Sequence, residues 1–277
     1  MIRLCTDSNS QLPTTLSERY RVEIVPITVR IDGVDYAEGI DLHADDFYAR
    51  FAGGAQPDVT TSQPSPGAFA SAYRRLADEG ATEIVSIHVS GALSGTLNSA
   101  RLAAVDSPVP VHLVDSGTAS FGISCWVWEA GEALRRGADA AGAVGAAETL
   151  APLIGNVFVV QAVDLARRGG RLGPLDLEEA PVPVLSLIEG RVDVVGTARS
   201  LDDAIPVMAS YVRRGGDRLR VAVGFADAAG GELSRALEQA IEHAPEVLEV
   251  VSYRVGPSVG VHTGPGTAGA FFFPSSR

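Results

Sequence analysis

Short apolar runs alternate along the first half of the chain with stretches whose apolar residues recur every three or four positions. Ile84-Val85-Ser86-Ile87-His88-Val89, the run from Val109 to Val114 and the opening residues 2–8 predict strands. Phe69, Tyr73 and Leu76 mark the buried stripe of a helix capped by Ser65, and Leu97, Ala100, Arg101 and Ala104 mark another after the 84–89 strand. Further helices are predicted over 13–20, from Asp41 as N-cap through Phe51, over 121–136 up to Gly137, and over 140–153. Val22 to Ile31 alternates with the strand period, and Asp32-Gly33 predicts a tight turn before Val34-Asp35-Tyr36. Strands alternating with helices at this spacing predict βαβ units and a mainly parallel sheet.

Beyond about residue 155 the pattern changes. A strand over 157–163 leads to a helical turn over 164–168, and Val182–Ile188 and Val192–Val195 flank Glu189-Gly190 as a hairpin. Helices over 201–214 (despite Pro206) and 232–244, the latter with Leu233, Leu237, Ala240 and Ile241, mix with strands over 219–225 and 247–255. Hairpin and βα elements together predict a second, mixed α/β domain. The expected division is 1–155 and 156–277, with no low-complexity linker at the boundary.

Composition narrows the function. A 277-residue chain with 46% hydrophobic and 20% charged residues buries a sizeable core. A net charge of −12 excludes a phosphate-neutralising nucleic-acid binder. No apolar run is long enough to span a membrane, and the opening residues lack a signal-peptide core, so a cytoplasmic location is expected. Cys5 and Cys125 read as two reduced core cysteines. All 22 basic residues are arginine. Without lysine, neither a Walker-type phosphate loop nor Schiff-base chemistry is available.

Chemistry gathers at Ser90-Gly91-Ala92-Leu93-Ser94-Gly95-Thr96, between a predicted strand and a predicted helix. Unpaired N–H groups at a helix start, the helix dipole and three hydroxyls make a cup for a small anion. Thr6-Asp7-Ser8 and Asp115-Ser116 also end strands in hydroxyl residues, and Thr60-Thr61-Ser62-Gln63-Pro64-Ser65 reads as a second hydroxyl-rich loop. Ligands bind beyond the carboxyl ends of parallel strands, so these stretches converge if their strands are neighbours. Ser94 fits three roles: hydrogen-bond donor to an oxyanion, helix cap, or nucleophile without a Gly-x-Ser-x-Gly context. His262 lies in a glycine-crowded turn suited to binding, His88 and His112 read as structural, and His43 and His243 fall on helix surfaces. Asp7, Asp115 and Asp164 offer carboxylates to a hard cation, but no metal motif supports one and strand-end aspartates commonly cap helices. Arg167, Arg168 and Arg171 form a basic spot suited to an anion or a partner.

In order, Thr6-Asp7-Ser8, Thr61-Ser62-Gln63-Pro64-Ser65, Leu93-Ser94-Gly95-Thr96, Asp115-Ser116, Gly169-Gly170-Arg171 and His262-Thr263-Gly264-Pro265-Gly266 resemble the DegV family over nearly the whole chain. The resemblance implies a two-domain DegV-like α/β fold with a long-chain fatty acid buried between the domains. It implies no cofactor and no catalysis by the chain itself. Instead it implies a fatty-acid-binding subunit of fatty acid kinase, serving phospholipid metabolism, that presents the carboxylate to an ATP-binding kinase subunit for acyl-phosphate formation and admits transient membrane contact. By the same resemblance Thr61, Ser62, Ser94, Gly95, Thr96 and His262 contact the carboxylate, and Arg171 and Arg199 contact phosphate or the partner. The region from Leu172 to Pro183 is short for the family. Two alternatives stand beside this: a small-molecule subunit like the dihydroxyacetone-binding part of dihydroxyacetone kinases, and a hydrolase using Ser94.

Overall fold

The first run forms strand β1 (Ile2–Asp7), followed by helix α1 (Thr14–Tyr20), in a computed structural model that describes residues 1–161, 182–188 and 191–275. The alternating stretch over 22–31 is not one strand. Pro26 has no N–H to give a ladder, and on either side of it β2 (Glu23–Val25) and β3 (Thr28–Ile31) join different sheets. Asp32 and Gly33 turn at φ 49° and 83° into β4 (Val34–Ala37), as expected. Helix α2 (Ala44–Ala49) is shorter than expected, and Asp41 does not cap it. Asp41 Oδ1 instead accepts the Ala37 N–H at 2.6 Å, closing the turn after β4, and His43 stands at the N-cap position.

There follow β5 (Val59–Ser62), α3 (Pro66–Asp78), β6 (Glu83–His88), α4 (Thr96–Ala104), β7 (Val111–Asp115), α5 (Phe121–Arg135) and α6 (Ala140–Leu150). Ser65 caps α3, its Oγ accepting from the Ala68 N–H at 3.2 Å. Phe69, Tyr73 and Leu76 are fully buried against Cys5, Val25 and Ile84. On α4 the buried face is Thr96, Leu97, Ser99, Ala100 and Ala103, whereas Arg101 turns outward.

The second half contributes β8 (Gly155–Val159), β9 (Val182–Ile188), β10 (Arg191–Ala198), α7 (Leu201–Arg213), β11 (Leu219–Phe225), α8 (Ala228–Ile241), β12 (Val247–Arg254), α9 (Pro257–Thr263) and β13 (Ala268–Pro274). Helix α8 starts four residues earlier than the pattern predicts, because Asp227 caps it by accepting from the Gly230 N–H at 3.0 Å. Leu233, Leu237 and Ile241 are buried as expected, but Ala240 is exposed.

By their contacts these elements form two units, Met1–Asp41 with Asp58–Pro152 and Leu42–Pro57 with Leu153–Arg277. The first holds an all-parallel sheet in the order β2-β1-β6-β7 and a small antiparallel sheet β4-β3-β5. The second holds a mixed sheet in the order β10-β9-β8-β13-β11-β12, in which β11 and β12 are parallel and the other pairs antiparallel. Its core joins Val157, Val159, Met208, Val221, Val223, Leu237 and Phe272. The fold is thus α/β with a parallel first sheet and a mixed second one.

The excursion Leu42–Pro57 is anchored within the second unit. Tyr48 Oη donates to the Val255 carbonyl at 3.0 Å, and Asp45 pairs with Arg254 at 2.8 Å. Phe47 and Tyr48 lie directly on α9 at Gly260, where a Cβ would come within 2.6 Å of Tyr48 Oη and 2.7 Å of Phe47 Cε1. Only glycine allows that approach.

Candidate ligand site at the strand ends

Strands β1, β6 and β7 are parallel neighbours, so Thr6-Asp7-Ser8, Ser90 and Asp115-Ser116 share one edge of the first sheet, the edge where parallel sheets bind ligands. Side chains tie this edge together. Thr6 Oγ1 donates to the Ile87 carbonyl at 2.8 Å. Asp7 Oδ1 accepts from the Asn9 N–H at 3.1 Å, and Oδ2 accepts from the Val89 N–H at 3.1 Å and from His88 Nδ1 at 3.0 Å. Ser8 Oγ accepts from the Ile27 N–H at 2.9 Å and donates to Glu38. From the other side, the Ser116 N–H and hydroxyl both donate to the His88 carbonyl, at 3.1 and 2.7 Å. Asp115 accepts from the N–H groups of Gly91 and Gly117 at 3.2 and 3.0 Å. Asp7 therefore satisfies buried amides at the end of its sheet edge, and Asp115 ties two exposed ones; Asp164 lies outside the described residues.

The Ser90–Thr96 loop rises from this clamp. The Ser90 carbonyl accepts from the N–H groups of Leu93 and Ser94 at 2.9 and 3.0 Å, and Ser90 Oγ accepts from Ala92 at 3.2 Å. Gly95, not Ser94, is the N-cap residue of α4, and no acidic residue sits in the first turn. The Ser94 hydroxyl is 2.8 Å from Thr96 Oγ1 and accepts from the Thr96 N–H at 3.3 Å. Ser94 is half-buried, Gly95 exposed and Thr96 buried. A helix start without a side-chain cap leaves amide donors facing outward under a favourable dipole, and here two hydroxyls adjoin it. Chemically this suits an anion with lone pairs to share and no need of a counter-charge.

Thr60-Thr61-Ser62 is a strand rather than a loop. Branched threonine favours the extended chain, and β5 pairs antiparallel with β3, placing Thr61 opposite Val29 and Ser62 opposite Thr28. Both are exposed, and the pleat sends their side chains to opposite faces. The next residue brings this stretch to the 90–96 loop: a Cβ on Gly95 would stand 3.0 Å from Gln63 Nε2.

The remaining candidates stand on other elements. His262 is half-buried in the last turn of α9, in the second unit, so it sits on a helix rather than in a glycine-rich turn. Pro257 at the first helical position and Gly264 at the C-cap were the signals of that helix. Arg199 is 92% exposed and pairs with Asp203 at 3.4 Å. Arg171, with Arg167, Arg168 and the 172–181 stretch, lies outside the described residues. His43 and His243 are exposed, and His112 pairs with Glu83 at 2.8 Å.

One constellation escapes the sequence. Ser86 Oγ is 2.7 Å from His88 Nε2, whose ring reaches Asp7 through Nδ1, and Tyr73 Oη is 3.0 Å from Ser86 Oγ. The spacing is that of a nucleophilic triad, yet Ser86, His88, Asp7 and Tyr73 are all fully buried. Burial raises the Tyr73 hydroxyl above its ordinary value. A nucleophile sealed in this way meets no substrate, and the Ser94 hydroxyl is engaged by Thr96 rather than by a base.

A family model described as "Uncharacterised protein, DegV family" matches residues 1–275. The chain is 35% identical over 285 residues to a DegV domain-containing protein of Deinococcus radiodurans, covering 99% of each. It is 34% identical over 274 residues to one of Streptomyces coelicolor, covering 97% of this chain and 96% of that one. Among solved structures it is similar to a DegV family protein from Thermus thermophilus described by its fatty acid binding, with 34% identity and a TM-score of 0.88 over 99% of both chains. A DegV lipid binding protein from Thermotoga maritima is 25% identical, with a TM-score of 0.86 over 100% of this chain and 99% of that one.

Proposed function

The chain belongs to the DegV family, and from that premise we propose that it binds a long-chain fatty acid and presents the carboxylate to a separate ATP-binding kinase subunit. The observation that carries the first half is the Thermus thermophilus fatty-acid-binding relative, alike over 99% of both chains. The Ser94-Gly95-Thr96 start of α4 supports it: it offers hydroxyl and amide donors at a helix N-terminus. Thr61, Ser62, Ser94, Gly95, Thr96 and His262 are the proposed carboxylate contacts. Because Thr61 and Ser62 face opposite ways on β5, one engages by its side chain and the other by its main chain. Each methylene leaving water contributes about 0.8 kcal/mol, which drives uptake of a long acyl chain. The carboxylate's desolvation opposes uptake unless these donors replace its water.

The kinase half of the proposal draws on the lysine-free composition, which leaves the chain without a nucleotide loop of its own. In this reading the chain is a carrier rather than an enzyme, acts in the cytoplasm in phospholipid metabolism and meets membranes only transiently. Arg171 and Arg199 are the proposed phosphate or partner contacts.

Native mass spectrometry of the purified protein tests the binding step, with co-purified fatty acid as the expected result. A delipidated sample that takes up no fatty acid would overturn the reading. Ser94→Ala is expected to weaken uptake about tenfold, the worth of one hydrogen bond to a charged group. Acyl-phosphate formation with ATP, assayed with and without a fatty acid kinase subunit, tests the second step; turnover by this chain alone contradicts it.

A further inference from the structure

We infer that Asp7 and His88 are positioning residues for the Ser90–Thr96 loop, holding the end of β6 where the loop's donors are correctly aimed and registering the ligand's charge. The inference rests on reading that loop as the carboxylate site. The β1–β6 ladder ends at Thr6 opposite Ile87. Past that point the Asp7 carboxylate replaces the ladder, taking the Val89 N–H at 3.1 Å on the same oxygen that meets His88 Nδ1 at 3.0 Å. Val89 leads directly into Ser90, whose carbonyl accepts the Leu93 and Ser94 amides. The three residues before the loop are thus each held by side chains of neighbouring strands: Ile87 by Thr6, His88 by Asp7 and Ser116, and Val89 by Asp7.

The proton inventory closes. If His88 keeps its proton on Nδ1 and donates that N–H to Asp7, its Nε2 accepts from the Ser86 hydroxyl, and Ser86 accepts from Tyr73. All four side chains are fully buried. A buried carboxylate and imidazole are an expensive way to join two strands, which an apolar pair would join at less cost. Their placement immediately before the loop gives them a use that an apolar pair lacks. Asp7 fixes the Val89 amide by charge, and in a low-dielectric interior the chain Asp7–His88–Ser86–Tyr73 polarises when an anion arrives above it.

The test uses the full chain, delipidated, with oleate as the probe. In proton NMR the His88 Nδ1–H should appear as a slowly exchanging signal downfield of the amides, absent from Asp7→Asn and His88→Gln. It should move on addition of oleate. Asp7→Asn, which cannot accept on both oxygens, should bind oleate roughly tenfold more weakly, as for one charge-assisted hydrogen bond lost. Tyr20→Phe, which removes the 2.6 Å bond to Glu132 elsewhere in the first unit, is the destabilised control and should keep wild-type affinity. If wild type binds oleate while the signal stays still and folded Asp7→Asn binds as tightly, the positioning role is overturned and the fatty-acid reading survives. If wild type takes up no oleate, both fall. Should the Asp7 variant not fold, the wild-type signal decides alone, its movement supporting the role and its constancy overturning it.

Discussion

Cys5, on β1, is sealed under the helices α3 and α4, and burial pushes its thiol from an ordinary 9.0 up to about 12. Burial raises Cys125 as well. Because the thiolate is the reactive form, the folded protein should leave both cysteines unmodified by iodoacetamide at pH 8, and both should react in guanidinium. Intact mass before and after unfolding counts them, and a modified cysteine in the native sample refutes the prediction. The sign of the pH effect follows from the shift: folding keeps Cys5 protonated, so its contribution is complete below pH 9.0 and is lost as the pH rises toward about 12. Burial at such positions was legible in the sequence, since the period of Phe69, Tyr73 and Leu76 is local information. Partnership was not. His88 could be read as a satisfied strand residue, but its partner Asp7 is 81 positions away and meets it only through the register of β1 on β6.

The elements show where local signals compete. A strand period ran through Pro26 without a break in hydropathy, so the missing N–H decided the outcome and the polar pattern did not. Asp41 carried the chemistry of a cap but stood two residues too early, and the turn after β4 claimed it. The hydroxyl-rich 60–62 stretch could be recognised by composition as a ligand candidate, whereas its extended form depended on pairing with β3. Helix α9 is a seven-residue element set against the aromatic rings of α2. Gly260→Val should therefore overpack that junction and cost about 2 kcal/mol, read as a lower midpoint in urea with an unchanged slope. Ser65→Ala should cost about 1 kcal/mol through the α3 cap alone. A Gly260→Val protein as stable as wild type would show that the Phe47 and Tyr48 rings yield freely at α9.

At the scale of the whole molecule, alternation of strands and helices was enough to foresee a parallel sheet in the first half and a mixed one in the second. What it could not foresee is the membership of Leu42–Pro57, because nothing local marks a segment whose partners lie some two hundred positions away. A fragment of residues 153–277 alone should consequently lack the α2 face of its own unit. It should bind the dye ANS and unfold with poor cooperativity, and a synthetic peptide of residues 42–57 should reduce that dye binding. A cooperative, ANS-silent fragment would remove α2 from the unit's core. The same excursion sets an order on biosynthesis. The first unit has all its residues once Pro152 has left the ribosome, but Phe47 and Tyr48 must wait for Val255 and Gly260, which lie against them in the folded unit. During that interval the aromatic pair lacks its α9 contacts, and completing the second unit is limited by a contact of high sequence separation. Newly made chains, rather than mature ones, are where chaperone dependence should appear.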